Sequence, residues 1–405
     1  MEGSGLESCD ESRDESRVRP RIESIDLLRG AVMVLMALDH TRDFFGVRGA
    51  NPVDLAQTTV VLFFTRWITH LCAPTFFLLT GTGARLSLAR QSRGELSRFL
   101  ATRGVWLIFL ELVVLRGLAW QFNFDYRLTM LFILWALGWA MIVLAALVWL
   151  PDWSIAGFGT ALIALHNLTD GVRAASLGRL APLWTILHAR GVLINSPRHL
   201  VVVAYPLVPW VGVTAVGYVL GEVYRWEPAR RRALLLRAGA GLTLAFAALR
   251  AVNAYGDPLP WKVQRSAAFT VLSFLNTTKY APSLLFLLMT LGPALLLLYA
   301  FDRETPALLR PALVYGRVPL FYFALHAAVL HLAALAVCYA RYGQVHWMFQ
   351  SPSPGDFPFT PPPGWGFSLG WIYFIWVCVV AALYPACRWF AGLKARRRDA
   401  WLSYL

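Results

Sequence analysis

Long apolar runs joined by short polar, arginine-rich connections dominate this chain. A bilayer-crossing helix needs roughly 20 consecutive, mostly apolar residues. On that measure the pattern predicts spans at 27–46, 58–83, 99–121, 129–150, 153–168, 200–223, 233–254, 281–301, 313–339 and 367–390. The stretch 176–194 reads as a re-entrant or interfacial helix. The expected fold class is all-α, a polytopic transmembrane helical bundle of about 10 spans. Residues 1–20 are polar and mixed in charge, with no apolar core, and read as a disordered cytosolic tail. Residues 21–392 form one expected transmembrane domain, and 393–405 a basic cytosolic tail.

Charge sets the expected orientation. With both termini cytosolic, the inner connections hold Arg85, Arg90, Arg93, Arg98 and Arg103, then Arg225 to Arg237, then Arg303, Arg310 and Arg317. The C-terminal end adds Arg388, Lys394, Arg396, Arg397 and Arg398. The opposite loops are longer, less densely basic and rich in Pro, Gly and Trp, so the short Arg-packed inner loops fit the positive-inside rule. A content of 58% hydrophobic and 15% charged residues, with mean hydropathy +0.54, excludes an ordinary soluble domain. The net charge of +14 lies in alternate loops, without a basic face bearing an aromatic platform. No nucleic-acid partner is expected; membrane lipid is, and a homodimer is left open. Cys9, Cys72, Cys338, Cys378 and Cys387 show neither metal-ligand spacing nor a disulfide framework. The Arg/Ala/Leu-rich composition suggests a bacterial inner (plasma) membrane.

Ionisable residues inside apolar spans are costly and mark candidate sites. Asp26 and Arg29 share a helix face. They read either as an interfacial ion pair with a snorkelling arginine or as a guanidinium grip on a phosphate entering from the cytosol. Asp39 and His40 lie near the outer end of the same span. They read as a polar cap with Arg42 and Asp43, or as a proton-moving imidazole with a charged neighbour. In the second span Pro74 removes the backbone donor for the carbonyl of His70. Gly81, Gly83 and Arg85 close that span, fitting close helix packing or a phosphate-bearing ligand. His326 falls near the middle of the ninth span. The three histidines lack a local ligand pair, so no metal is expected. Glu111 and Arg116 are expected to pair with each other or with other helices.

Several of these segments carry a family resemblance. They are Ser24-Ile-Asp-Leu-Leu-Arg-Gly30, Leu35-Met-Ala-Leu-Asp-His-Thr-Arg-Asp-Phe-Phe45, Phe64-Thr-Arg-Trp-Ile-Thr-His-Leu-Cys-Ala-Pro74, Tyr205-Pro-Leu-Val-Pro-Trp-Val-Gly212 and Phe274-Leu-Asn-Thr-Thr-Lys-Tyr-Ala-Pro-Ser283. Together they resemble the bacterial relatives of heparan-α-glucosaminide N-acetyltransferase, over about residues 20–390. The resemblance implies acetyl transfer across a membrane, from cytosolic acetyl-CoA as co-substrate to an amino sugar or glycan on the far side. This chain has His40 where the lysosomal member carries asparagine, and His70 where it shows aspartate. On the implied chemistry, His40 or His70 is the base, Asp39 supports it, and His326 positions the acceptor or stabilises the oxyanion. Arg29 with Asp26, Arg85 and Arg317 are expected at the CoA phosphates. Arg42, Asn276 and Lys279 are expected at the acceptor. The rival expectation is a proton-coupled transporter or flippase of a small sugar or lipid-linked substrate, since midplane His, Asp and Arg suit that role too.

Overall fold

The structure is a computed structural model describing residues 22–47, 49, 51–397 and 399–404. The expected 1–20 tail, Cys9 and Arg398 lie outside the described residues.

Helix α1 (Glu23–Phe45) is followed by α2 (Val60–Trp67), which passes through a 3-10 turn at Ile68–Leu71 into α3 (Cys72–Ser87). Helix α4 (Arg93–Phe109) opens on a capping box between Ser92 and Glu95 and continues as a π-helix, Leu110–Trp120. Strand β1 (Leu128–Leu131) leads into α5 (Ile133–Leu147), α6 (Asp152–Leu165) and the short α7 (Ala181–Leu187). Strands β2 (Gly191–Asn195) and β3 (Leu200–Val203) precede α8 (Leu207–Leu220) and α9 (Pro228–Val252). The chain ends with α10 (Ala267–Leu275), α11 (Leu284–Phe301), α12 (Arg310–Arg317), α13 (Pro319–Tyr342) and α14 (Leu369–Arg396).

Six of these helical segments are long and apolar enough to cross a membrane: Val60–Ser87, Leu207–Arg225, Pro228–Val252, Leu284–Phe301, Pro319–Tyr342 and Leu369–Arg396. Helix α1 has the length, at 23 residues, but carries Glu23, Asp26, Arg29, Asp39, Arg42 and Asp43. Helices α5 and α6 are apolar but only 15 and 14 residues long.

The chain is mostly helical, as expected, with one departure among the described residues. A three-stranded sheet, in the order β1-β3-β2, occupies the predicted starts of two spans. Strand β1 runs parallel to β3 with Leu128 opposite Leu200, and β2 runs antiparallel to β3. Short apolar runs do not distinguish strand from buried helix by periodicity alone. The β-branched run Val201-Val202-Val203 favours the extended form.

Of the two expectations for Glu111 and Arg116, the contact of Glu111 with another helix is the one found, and no bond joins the two side chains among the described residues. Buried Glu111 accepts the backbone N–H of Trp135 at 2.5 Å, at the start of α5 where amides lack intrahelical partners. Arg116 donates to the carbonyls of Asn123 (2.8 Å) and Leu128 (3.1 Å), holding the approach to β1. The π-helical stretch between them delivers Trp120 to the bundle interior.

Helix α1 is the central element, packed against α3, α11, α12, α13 and α14. Its closest approach is to α12, and glycine makes it possible. A Cβ on Gly30 would sit 1.8 Å from the carbonyl oxygen of Ala312, and one on Gly316 would sit 1.8 Å from that of Asp26. Gly81 meets α8 in the same way, 2.0 Å from the Thr214 carbonyl on this measure. Gly81 therefore serves close helix packing.

Candidate active site

The four expected catalytic side chains are carried by α1 (Asp39, His40), the α2–α3 break (His70) and α13 (His326). On α1, Asp39, His40, Arg42 and Asp43 fall within two turns, so the helix presents them together. His40 Nδ1 lies 2.6 Å from His326 Nε2, joining α1 to α13. The two rings are nearly parallel, with centroids 4.9 Å apart. Trp120 presents its ring edgewise to both, at 4.8 Å from His40 and 6.2 Å from His326.

The hydrogen bonds assign the tautomers. His326 Nδ1 lies 3.1 Å from the carbonyl oxygen of Tyr322, one helical turn earlier. A carbonyl only accepts, so that nitrogen carries the proton. In the neutral ring Nε2 then accepts, and His40 Nδ1–H donates to it. His40 Nε2 is left with its lone pair and has no hydrogen-bond partner among the described residues. That is the condition of an imidazole able to take a proton.

Asp39 is turned away from this relay. Its carboxylate pairs with Arg66 on α2 and lies 2.9 Å from Arg42. Arg42 also reaches Asp43 at 2.9 Å. The Asp39, Arg42 and Arg66 side chains are only 13% exposed, so the group is largely desolvated. A buried ion pair fixes geometry more than it adds stability. Asp39 thus holds α1 against α2.

His70 sits in the 3-10 turn between α2 and α3, buried, with its ring 5.3 Å from that of Phe286 on α11. No hydrogen bond links it to the His40–His326 pair among the described residues, and its Nδ1 has no partner. Lys279 lies within electrostatic range of Asp39, His40 and His70. Its ammonium is 5.3 Å from the Tyr280 ring centroid, and that ring meets Tyr205 edge-on at 5.3 Å. Burial raises the Tyr280 hydroxyl's pKa, but Lys279 and Arg66 outweigh this and hold it below the usual tyrosine value. Asn276 commits its side-chain amide to the Val53 carbonyl at 2.9 Å.

A buried brace holds this loop. Arg250 donates to the carbonyls of Leu259, Ser273, Phe274 and Asn276. Asp257 accepts the Thr278 amide and hydroxyl and the Ser283 hydroxyl.

The expected donor-side residues lie toward the other end of α1. Arg29 donates to Asp26 at 3.0 Å and to the Gly316 carbonyl at 3.1 Å. The adjoining Arg317 has a buried Nε without a partner. Arg103 on α4 is within electrostatic range of Arg29. Arg85 lies elsewhere, gripping Asp152 with two bonds at 2.9 and 2.7 Å and Glu222 at 2.9 Å. Its donors bind α6 and the end of α8, which leaves it a bracing role. Among the described residues, no group of three or more His, Cys, Asp and Glu side chains is arranged to hold a metal.

Sequence reasoning assigned no role to Trp120, Tyr205, Arg66 or the Tyr322 carbonyl. Arg66 carried a signal, as a charge inside an apolar span. The others become meaningful only through tertiary contact.

Six apolar, membrane-length helices around this histidine pair point to an integral membrane protein. The chain belongs to the family described as heparan-alpha-glucosaminide N-acetyltransferase, catalytic, whose profile matches residues 21–251. That match covers α1 to α9 up to Ala251, while Lys279 and His326 lie beyond it. Comparison with curated proteins gives no match.

Proposed function

We propose that this protein moves an acetyl group from cytosolic acetyl-CoA to the amine of an amino sugar on the opposite side of the membrane. The hydrogen-bonded pair of His40 and His326 carries this reading, because it leaves one basic nitrogen, His40 Nε2, unengaged. The acceptor amine attacks the thioester carbonyl while its proton passes to His40 Nε2. Collapse of the tetrahedral adduct breaks the carbon–sulfur bond. The departing CoA thiolate then takes the proton from His40, giving an amide and free CoA. His326 is a positioning residue, keeping the proton of His40 on Nδ1.

Arg29 and Arg317 are assigned to the phosphates of the donor, at the start of α1. His40 lies about 16 Å beyond Arg29 along that helix, at 1.5 Å per residue. An elongated donor entering beside Arg29 suits that separation. The arginine-rich alternate connections support ten membrane crossings with both termini on the donor side. The membrane assigned is the bacterial plasma membrane, and the transferred group is assigned to nitrogen from the glucosaminide of the family description.

The test is sidedness. Proteoliposomes holding a trapped amino sugar receive labelled acetyl-CoA from outside. Molecules inserted with the donor side outward are expected to acetylate the trapped sugar and release CoA outside. Labelling only when donor and acceptor share a compartment would contradict the reading.

A further inference from the structure

Around His40 the count of donors and acceptors does not balance. Arg42, Arg66 and Lys279 supply three positive charges, and Asp39 and Asp43 supply two negative ones. Arg66 and Arg42 are matched to the carboxylates, leaving the excess on Lys279. No acceptor oxygen lies within hydrogen-bond distance of its ammonium among the described residues. Arg42 Nη1, His70 Nδ1 and Asp39 Oδ1 are buried atoms without a hydrogen-bond partner among the described residues. An unmatched buried guanidinium donor such as Arg42 Nη1 costs on the order of 1–3 kcal/mol, so it calls for a ligand oxygen, and the Lys279 charge beside it favours an anionic one. The loop bearing Lys279 is held by the Arg250 and Asp257 network, so the charge is positioned by design of the fold.

We infer that Lys279, with Arg42, forms an anion subsite beside His40, recognising a carboxylate or phosphate carried by the acceptor. This rests on the acceptor side proposed above. The excess positive charge also has a chemical use. It disfavours a protonated amine near the relay and so favours the free amine that attacks. An acceptor with its own anionic group offsets the field at Lys279 while presenting that amine to His40.

The test is equilibrium binding to full-length protein in nanodiscs, which needs no acetyl transfer. The probes are glucosamine, glucosamine 6-phosphate and muramic acid, so the last two separate phosphate from carboxylate recognition. At least one anionic probe is expected to bind about tenfold more tightly than glucosamine, with high salt eroding the difference. Lys279→Gln is expected to reduce that ratio to near one, and Lys279→Arg to preserve it. Equal affinities for all three probes, or a ratio unchanged in Lys279→Gln, would overturn the subsite. Discrimination without any acetyl transfer would support the subsite and overturn the acetyltransferase reading instead.

Discussion

The two ends of α1 are built differently. Near its start, close packing dominates: Arg29 is tied to Asp26 and the Gly316 carbonyl, and glycines bring α12 against the helix, with Arg317 Nε beside it buried without a partner among the described residues. On α3, Arg85 is likewise matched, by Asp152 and Glu222. Toward its end, His40 Nε2, His70 Nδ1, Arg42 Nη1 and the Lys279 ammonium have no hydrogen-bond partner among the described residues. Substitutions at Gly30 and Arg85 should cost stability, while those at the far end should cost chemistry.

The largest expected effect is Gly30→Ala. Its Cβ would meet backbone oxygen, and backbone yields only by moving a helix. A loss of about 3 kcal/mol is expected, read as a lower Tm in detergent. Transfer per folded molecule should persist, and an unchanged Tm would break the packing account. His326→Ala should act oppositely, lowering kcat by about 10²-fold with a smaller change in acceptor KM. Because His326 would act through His40, the pH dependence of kcat should move as well. His326→Asn, which can still accept from His40 Nδ1–H, should recover part of the loss. A pH profile identical to wild type in His326→Ala would leave His326 a merely structural role. The smallest effect belongs to Arg85→Ala, at about 1–2 kcal/mol, since the facing carboxylates are 41% and 31% exposed and screened by solvent. A rise in donor KM without loss of stability would return Arg85 to the phosphate site.

Much of this division was legible in the chain. The apolar runs located the helices, and the cost of charge in hydrocarbon singled out Asp39, His40, His70 and His326. Sequence did not reveal which residues are partners. Asp39 adjoins His40 in the chain, yet helical spacing sends its carboxylate toward Arg66, while His40's partner lies 286 residues away. The strands were hidden for a related reason. Leu128–Leu131 and Leu200–Val203 continue into helices without a polar break, so apolar length alone merged two element types. The glycine run divided too: Gly81 is explained by the Thr214 backbone, whereas a Cβ on Gly83 would meet nothing within 4 Å.

The central claim is that His40 is the base of an acetyl transfer. It is tested most directly by acceptor-dependent CoA release from proteoliposomes, comparing wild type with His40→Ala matched for folding. The account predicts acceptor-dependent release by the wild type and its loss by about 10²- to 10⁴-fold in the variant. Release at the wild-type rate from folded His40→Ala protein would contradict it.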